Sequence, residues 1–238
     1  MNATIARITA RALFGRRRFL LLLPLPVLLL GLAVLSNGLG GSLDAWGPPV
    51  IVGLGLAVVL PVLALVVGTG VLGSEIDDGT LAHILAKPLP RSQIILSKLL
   101  VAIVVTFLTT AVPLFVAGLI GGSVPLAVGL VVGALVGSIA YSALFVALTL
   151  LTGRPVLLGL VYVLIWEGLL GNFLAGTQVL SIQQYVIAIA DRVANSDTVL
   201  NTTVSFPVAT GMAFAVAVGA TLLAIDRLRS FSVVGETS

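Results

Sequence analysis

The sequence predicts an all-α, polytopic membrane protein, a single transmembrane domain over residues 1–238 with six transmembrane helices, and three observations predict it. The chain is 59% hydrophobic and only 9% charged, with mean hydropathy +1.23, whereas ordinary globular chains carry about 25% charged residues. Residues 19–43, 45–74, 99–153, 168–190 and 198–225 hold no Asp, Glu, Lys or Arg, and a helix needs only about 20 apolar residues to cross a bilayer. When six spans are threaded through these stretches, Arg7, Arg11, Arg16, Arg17, Arg18, Lys87, Arg91, Lys98, Arg154, Arg227 and Arg229 fall on one side and only Arg192 on the other. Basic residues collect on the cytoplasmic side of membrane proteins, so both termini are expected in the cytoplasm of a cell whose plasma membrane the chain spans.

Each element follows in order. Residues 2–18 place Ile5, Ile8, Ala12 and Leu13 near one helical face and Arg7, Arg11 and Arg18 on another. Two readings stand for them: an N-terminal interfacial helix, or a basic flank that only sets orientation. Residues 19–30 have the outline of a signal peptide, but the apolar run continues to about Leu39 without a small-residue cleavage site, so a retained first span is expected at about 19–39. Pro24 and Pro26 should loosen or kink its start. A glycine-rich turn at 37–49 leads to a second span at about 49–72. The long uncharged stretch is divided by GGSVP at 121–125 into spans at about 99–120 and 126–151. TGRP then introduces a fifth span at about 156–175, and the last lies at about 204–225. Between these two, residues 179–190 are apolar for only about a dozen residues, which fits a short external helix, re-entrant or interfacial, better than a crossing.

Composition also excludes chemistries. With no Cys and one His, the chain cannot build a thiolate zinc site, an iron–sulfur cluster, a disulfide framework or a two-histidine metal motif. The formal charge of +3 resides in residues flanking apolar runs, where membrane orientation accounts for it and nucleic acid does not. GTGVLG at 68–73 matches a dinucleotide-binding pattern formally, but it closes a hydrophobic span with no strand before it. No phosphate-cradling P-loop occurs, so no catalytic residue, cofactor site or metal site is expected in this chain, and any ATP is bound by another polypeptide. His83 lies among Leu81, Ile84 and Leu85 with no second ligand at helical spacing, and reads as a surface or core histidine. The sequon Asn201-Thr202-Thr203 has meaning only in a glycosylating secretory pathway.

Two features within the spans stand out. Gly129, Gly133 and Gly137 recur every four residues, so one face of the fourth span carries no side chains and another backbone can approach it. Glu167, in YVLIWEGLLGNF, is the one acid well inside a span, and placing it there costs a few kcal/mol unless it is protonated, partnered or facing a polar cavity. It therefore faces protein or a pathway, as a structural partner of a neighbouring helix, as a substrate contact or in gating.

The most charged internal segment is EIDDGTLAHILAKPLPRSQIILSK at 75–98. Ser74 with Asp77 three residues on suits a helix start, and Glu75, Asp77 and Asp78 would place negative charge at its positive end. Pro88 and Pro90 then break the chain, and Ser92 can cap the helix that continues into the third span. A short helix, a proline turn and a second helix start suit docking of another protein.

Here the segment resembles the signature of permease subunits of ABC-type exporters with the six-helix type V (ABC-2-type) fold. The family pattern is an acid, G-T-L, an apolar pair, a proline, an arginine and a lysine, in this chain Glu75, Gly79-Thr80-Leu81, Ile84-Leu85, Pro88, Arg91 and Lys98, with Asp78 just before the glycine. The resemblance extends more loosely to the basic N-terminus, the six spans and the short helices before the last one. It implies that the segment is a cytoplasmic coupling helix between spans 2 and 3, pressed into a cleft of a separate ATPase subunit. It further implies two such ATPases per complex with ATP and Mg bound on them, a second permease copy or a homologue, and transport tending to export. An ion-coupled secondary transporter using Glu167 is the alternative reading.

Overall fold

The computed structural model describes residue 9 and residues 22–77, 90–170, 177–195 and 199–230. Every regular element among these residues is helical. In chain order they are α1 (Pro24–Gly38), α2 (Leu43–Gly47), a π-helical stretch Pro48–Val59, α3 (Leu60–Asp77), α4 (Arg91–Ile120), α5 (Val124–Leu151), α6 (Pro155–Val161), a second π-helical stretch Tyr162–Leu170, a 3₁₀ turn Thr177–Leu180, α7 (Ile182–Ala194) and α8 (Phe206–Ser230).

Among the described residues four helical runs are long and apolar enough to cross a bilayer: Leu43–Gly73, Arg91–Ile120, Val124–Leu151 and Phe206–Leu228. These correspond to the second, third, fourth and last expected spans. Pro24–Gly38 and Pro155–Leu169 are apolar but shorter. The expected interfacial helix at 2–18 lies outside the described residues except for Thr9, which is buried.

Several local expectations are corrected. Pro24 does not kink a helix; it begins one, in the first turn, where no backbone N–H is required, and Pro26 follows within that turn. The glycine-rich turn ends sooner than expected, at Ser42, because Leu43–Gly47 is already helical and runs into the π-helical stretch that opens with Pro48 and Pro49. Gly40 makes the turn with φ +80°, a conformation that L side chains rarely adopt. Ser74 is not a helix start, since residues 74–77 continue α3 without a break. The serine-to-acid spacing that resembles a cap therefore sits in the last turn of a long helix. Ser92 is likewise inside the first turn of α4, which begins at Arg91 after Pro90, with no side-chain cap.

The hub is α5, which touches α3, α4, α6, α7 and α8. Two thirds of its most apolar stretch (67%) is buried, against 17% for α8, which is peripheral. Tyr141 and Phe145 of α5 are among the largest fully buried side chains, and their rings stack with centroids 6.0 Å apart. Outward-facing Leu, Val and Phe residues on α1, α6 and α8 form the apolar surface that a bilayer requires. Three buried threonines bond back along their own helices: Thr69, Thr110 and Thr149 donate to the carbonyls of Leu65, Thr106 and Phe145, four residues back.

Glycines fix the helix directions. A Cβ at Gly68 would meet the Phe145 Cβ at 3.0 Å, and one at Gly137 would meet Leu60 Cδ2 at 2.5 Å, so α3 and α5 run the same way. Gly118 faces Ala127 across the α4–α5 turn, where a Cβ would lie 2.6 Å from the Ala127 Cα. Ser123 closes that turn by accepting a hydrogen bond from the Leu126 N–H at 3.3 Å. The bundle thus has one end carrying Asp77, Arg91 and Arg154 and an opposite end carrying Ser123.

Candidate functional site

Two places bring the expected functional residues into view: the flanks of the 75–91 segment, and the surroundings of Glu167.

At the first, Glu75 lies in the last turns of α3 and Arg91 opens α4, while Asp78, Gly79, Thr80, Leu81, Ile84, Leu85 and Pro88 fall outside the described residues. Lys98 does not join a surface. It is 1% exposed, and its Nζ donates to the backbone carbonyl of Val71 at 2.7 Å. A buried ammonium is tolerated only when it is paired or hydrogen-bonded, and here the bond ties the end of α3 to the beginning of α4. The two helices that bracket the segment are therefore clamped to each other close to its ends. Ile94, Ile95, Leu72 and Val71 bury around this clamp.

At the second, Glu167 is 1% exposed and stands in the π-helical stretch Tyr162–Leu170. Its Oε1 accepts from the Tyr162 hydroxyl at 2.9 Å and from the backbone N–H of Ile182 at 3.0 Å. Its Oε2 accepts from the Ser181 hydroxyl and from the N–H of Gln183 at 3.4 Å. Ser181 in turn accepts from the Gln184 N–H at 3.4 Å, as the N-cap of α7. The carboxylate therefore lies on the N-terminus of α7, where the unsatisfied N–H groups and the positive end of the helix dipole favour an anion. Tyr162 also meets Phe145 edge to face at 6.4 Å. The Tyr141 hydroxyl lies within the electrostatic reach of Glu167 yet makes no hydrogen bond of ordinary geometry.

The first turn of α7 and the 3₁₀ turn before it have further polar fastenings: the Thr202 hydroxyl donates to Gln184 Oε1 at 3.2 Å, the Thr203 hydroxyl to Gln178, and the Tyr185 hydroxyl to the Val179 carbonyl. A polar depression of about 400 Å³ lined by Gln178, Gln184, Asn201, Thr202 and Thr203 opens beside it.

The glycine face of α5 receives α7 from the same chain. A Cβ at Gly129 would lie 2.5 Å from the Ala190 carbonyl oxygen, one at Gly133 3.1 Å from the Val186 carbonyl oxygen, and one at Gly137 2.9 Å from Val186 Cγ2. As the numbers rise along α5 they fall along α7, so the two are antiparallel, and α7 climbs from Glu167 toward the Ser123 end. Among the described residues no three His, Asp or Glu side chains are placed to hold a metal ion.

The family model of the ABC-2 family transporter proteins matches residues 16–174, about two thirds of the chain. The chain belongs to the ABC-2 transporter family. It is thus an ABC transporter permease, a membrane protein of a kind that associates with ABC ATPases. No curated protein matches it in a sequence comparison. The match to this ABC-2 permease covers the 75–98 segment and Glu167, but it stops short of Ser181 and α7.

Sequence reasoning singled out Glu167 but missed Ser181 and Tyr162. The signal for Ser181 was present: Ser181-Ile-Gln-Gln184 is the serine-x-x-glutamine pattern of a capping box. Tyr162 was hidden, because a spacing of five puts two side chains roughly 140° apart on an α-helix. The i→i+5 register of a π turn brings them closer, and no sequence pattern announces that turn.

Proposed function

We propose that this chain is the translocation subunit of an ABC exporter, driven by ATP hydrolysis on two separate cytoplasmic ATPase subunits that carry the ATP and Mg. Two permease chains, this one and a second copy or homologue, complete the complex in the plasma membrane. Six crossings are counted by adding α1 and the α6 region to the four long apolar runs, which keeps both termini on one side, and the asymmetry of Lys and Arg supports the cytoplasm as that side. The chain itself catalyses nothing; the 75–91 segment is the coupling helix, held in a cleft of the ATPase.

One observation carries the reading. The segment that resembles the family signature connects α3 to α4, and the Lys98 to Val71 bond ties those two helices close to its ends. A push on such a segment is delivered to the bundle, not dissipated in a loop. The ion-coupled alternative asks Glu167 to exchange protons with a pathway, whereas four donors already engage its carboxylate.

The test is co-purification. Replacing both Leu81 and Leu85 with Asp should abolish ATPase binding, because unpaired charges in a buried interface cost about 3–5 kcal/mol, while membrane insertion persists. Wild-type yield of the ATPase with this double variant, with unchanged coupled transport, would overturn the assignment.

A further inference from the structure

The 13 residues of α7, between its N-cap Ser181 and its C-cap Asn195, rise roughly 20 Å, short of the roughly 30 Å hydrocarbon core of a bilayer. Its N-terminus lies against Glu167, within the helical run Pro155–Leu170, and it runs from there toward the Ser123 end, so it begins at membrane depth.

We propose that Glu167 is the positioning residue whose carboxylate caps the inner end of α7 and seats that helix in the glycine groove of α5. A helix N-terminus at membrane depth survives only where protein or a polar cavity satisfies its backbone. All the required pieces converge on it. Glu167 accepts from Ile182 and Gln183, Ser181 accepts from Gln184, and the Gln178 to Thr203 depression lies alongside. Half-helix N-termini inside membranes usually face a bound anion, and here the anion is tethered to the chain. The groove and the cap are complementary devices. The glycines let α7 approach α5 to backbone contact but offer little to hold its register, and the cap supplies that register.

The seating of α7 does not rest on the proposed transport function. The experiment uses that independence. The chain has no native cysteine, so single cysteines report cleanly in the purified full-length protein in nanodiscs, reacted with a hydrophilic maleimide. Val186→Cys, fully buried against Gly133 and Gly137, should label slowly in the otherwise wild-type chain. Adding Glu167→Ala should speed its labelling at least about tenfold, because a charged acceptor is withdrawn from several donors at once. Glu167→Gln should fall between, since an amide keeps one acceptor oxygen and turns the other position into a donor. Ser181→Ala should give about a fivefold increase, the usual loss for an N-cap serine, and carries the test if Glu167→Ala does not accumulate as folded protein. Val193→Cys, exposed on α7, and Val67→Cys, buried in α3, should label at unchanged rates throughout. An unchanged Val186→Cys rate in the Glu167 and Ser181 variants would overturn the proposal, and so would a parallel rise at Val67→Cys, which would mean general loosening. Either failure leaves ATPase co-purification untouched, and loss of the permease reading leaves these rates untouched.

Discussion

At the scale of single residues, Lys98 poses the sharpest question, because its charge is buried and its position matches a surface-docking pattern. Its ammonium donates to the Val71 carbonyl, and its aliphatic stem fills space between α3 and α4. The two contributions separate by substitution. Lys98→Ala removes bond and volume together and should destabilise the bundle by about 2–4 kcal/mol. Lys98→Met keeps the volume and removes the desolvated charge, so it should cost only about 1 kcal/mol or less. Thermal unfolding in detergent, read as the order of midpoints, tests this: equal losses for both variants would assign the effect to the hydrogen bond alone. The same clamp should matter for coupling, so Lys98→Met is also expected to weaken permease stimulation of the ATPase while leaving the fold in place.

At the scale of elements, the groove between α5 and α7 makes an ordered prediction. A methyl at Gly129 collides with a backbone oxygen at 2.5 Å, which cannot move without shifting α7, whereas at Gly137 the nearest atom, also at 2.5 Å, is the end of the Leu60 side chain. Gly129→Ala should therefore cost about 1–3 kcal/mol, Gly137→Ala less. Gly31 and Gly219 have nothing within 4 Å, and Ala there should be neutral or stabilising by about 0.5–1 kcal/mol. A flat series, with all four variants unfolding together, would show that close approach at the groove is not a determinant. The glycine spacing was legible in the sequence because a repeat of four defines a face whatever lies opposite. Its occupant was not, because α7 mixes Gln183 and Gln184 among apolar residues and its capping acid lies well upstream, across the fifth span. The start of α4 was misread for a related reason: serine favours both caps and first turns, and only the conformation of Pro90 decides which one Ser92 occupies.

At the scale of the whole molecule, long charge-free stretches gave the bounds of α4, α5 and α8 to within a few residues at one end or the other, since nothing but an apolar helix satisfies such a run in lipid. The same signal underestimated the second span, which begins at Leu43, because Asp44 and the Pro48–Pro49 pair looked like a turn. The fifth expected span, about 156–175, is helical from Pro155 to Leu170, and its remaining residues lie outside the described ones. What hydropathy leaves open is orientation. Moving a basic residue through the bilayer is costly, so the proposed orientation takes as cytoplasmic the side that, with six crossings, keeps eleven of the 12 Lys and Arg residues. The 121–125 turn and the 195–205 connection would then face outward, and the 75–91 segment inward, where ATP is available. In an otherwise cysteine-free chain, cysteines at Ser123 and Thr198 should react with an impermeant thiol reagent added to intact cells, and one at Ala82 should react only after the membrane is opened. Labelling of intact cells at Ala82 alone would invert the topology, and with it remove the 75–91 segment from reach of any cytoplasmic ATPase.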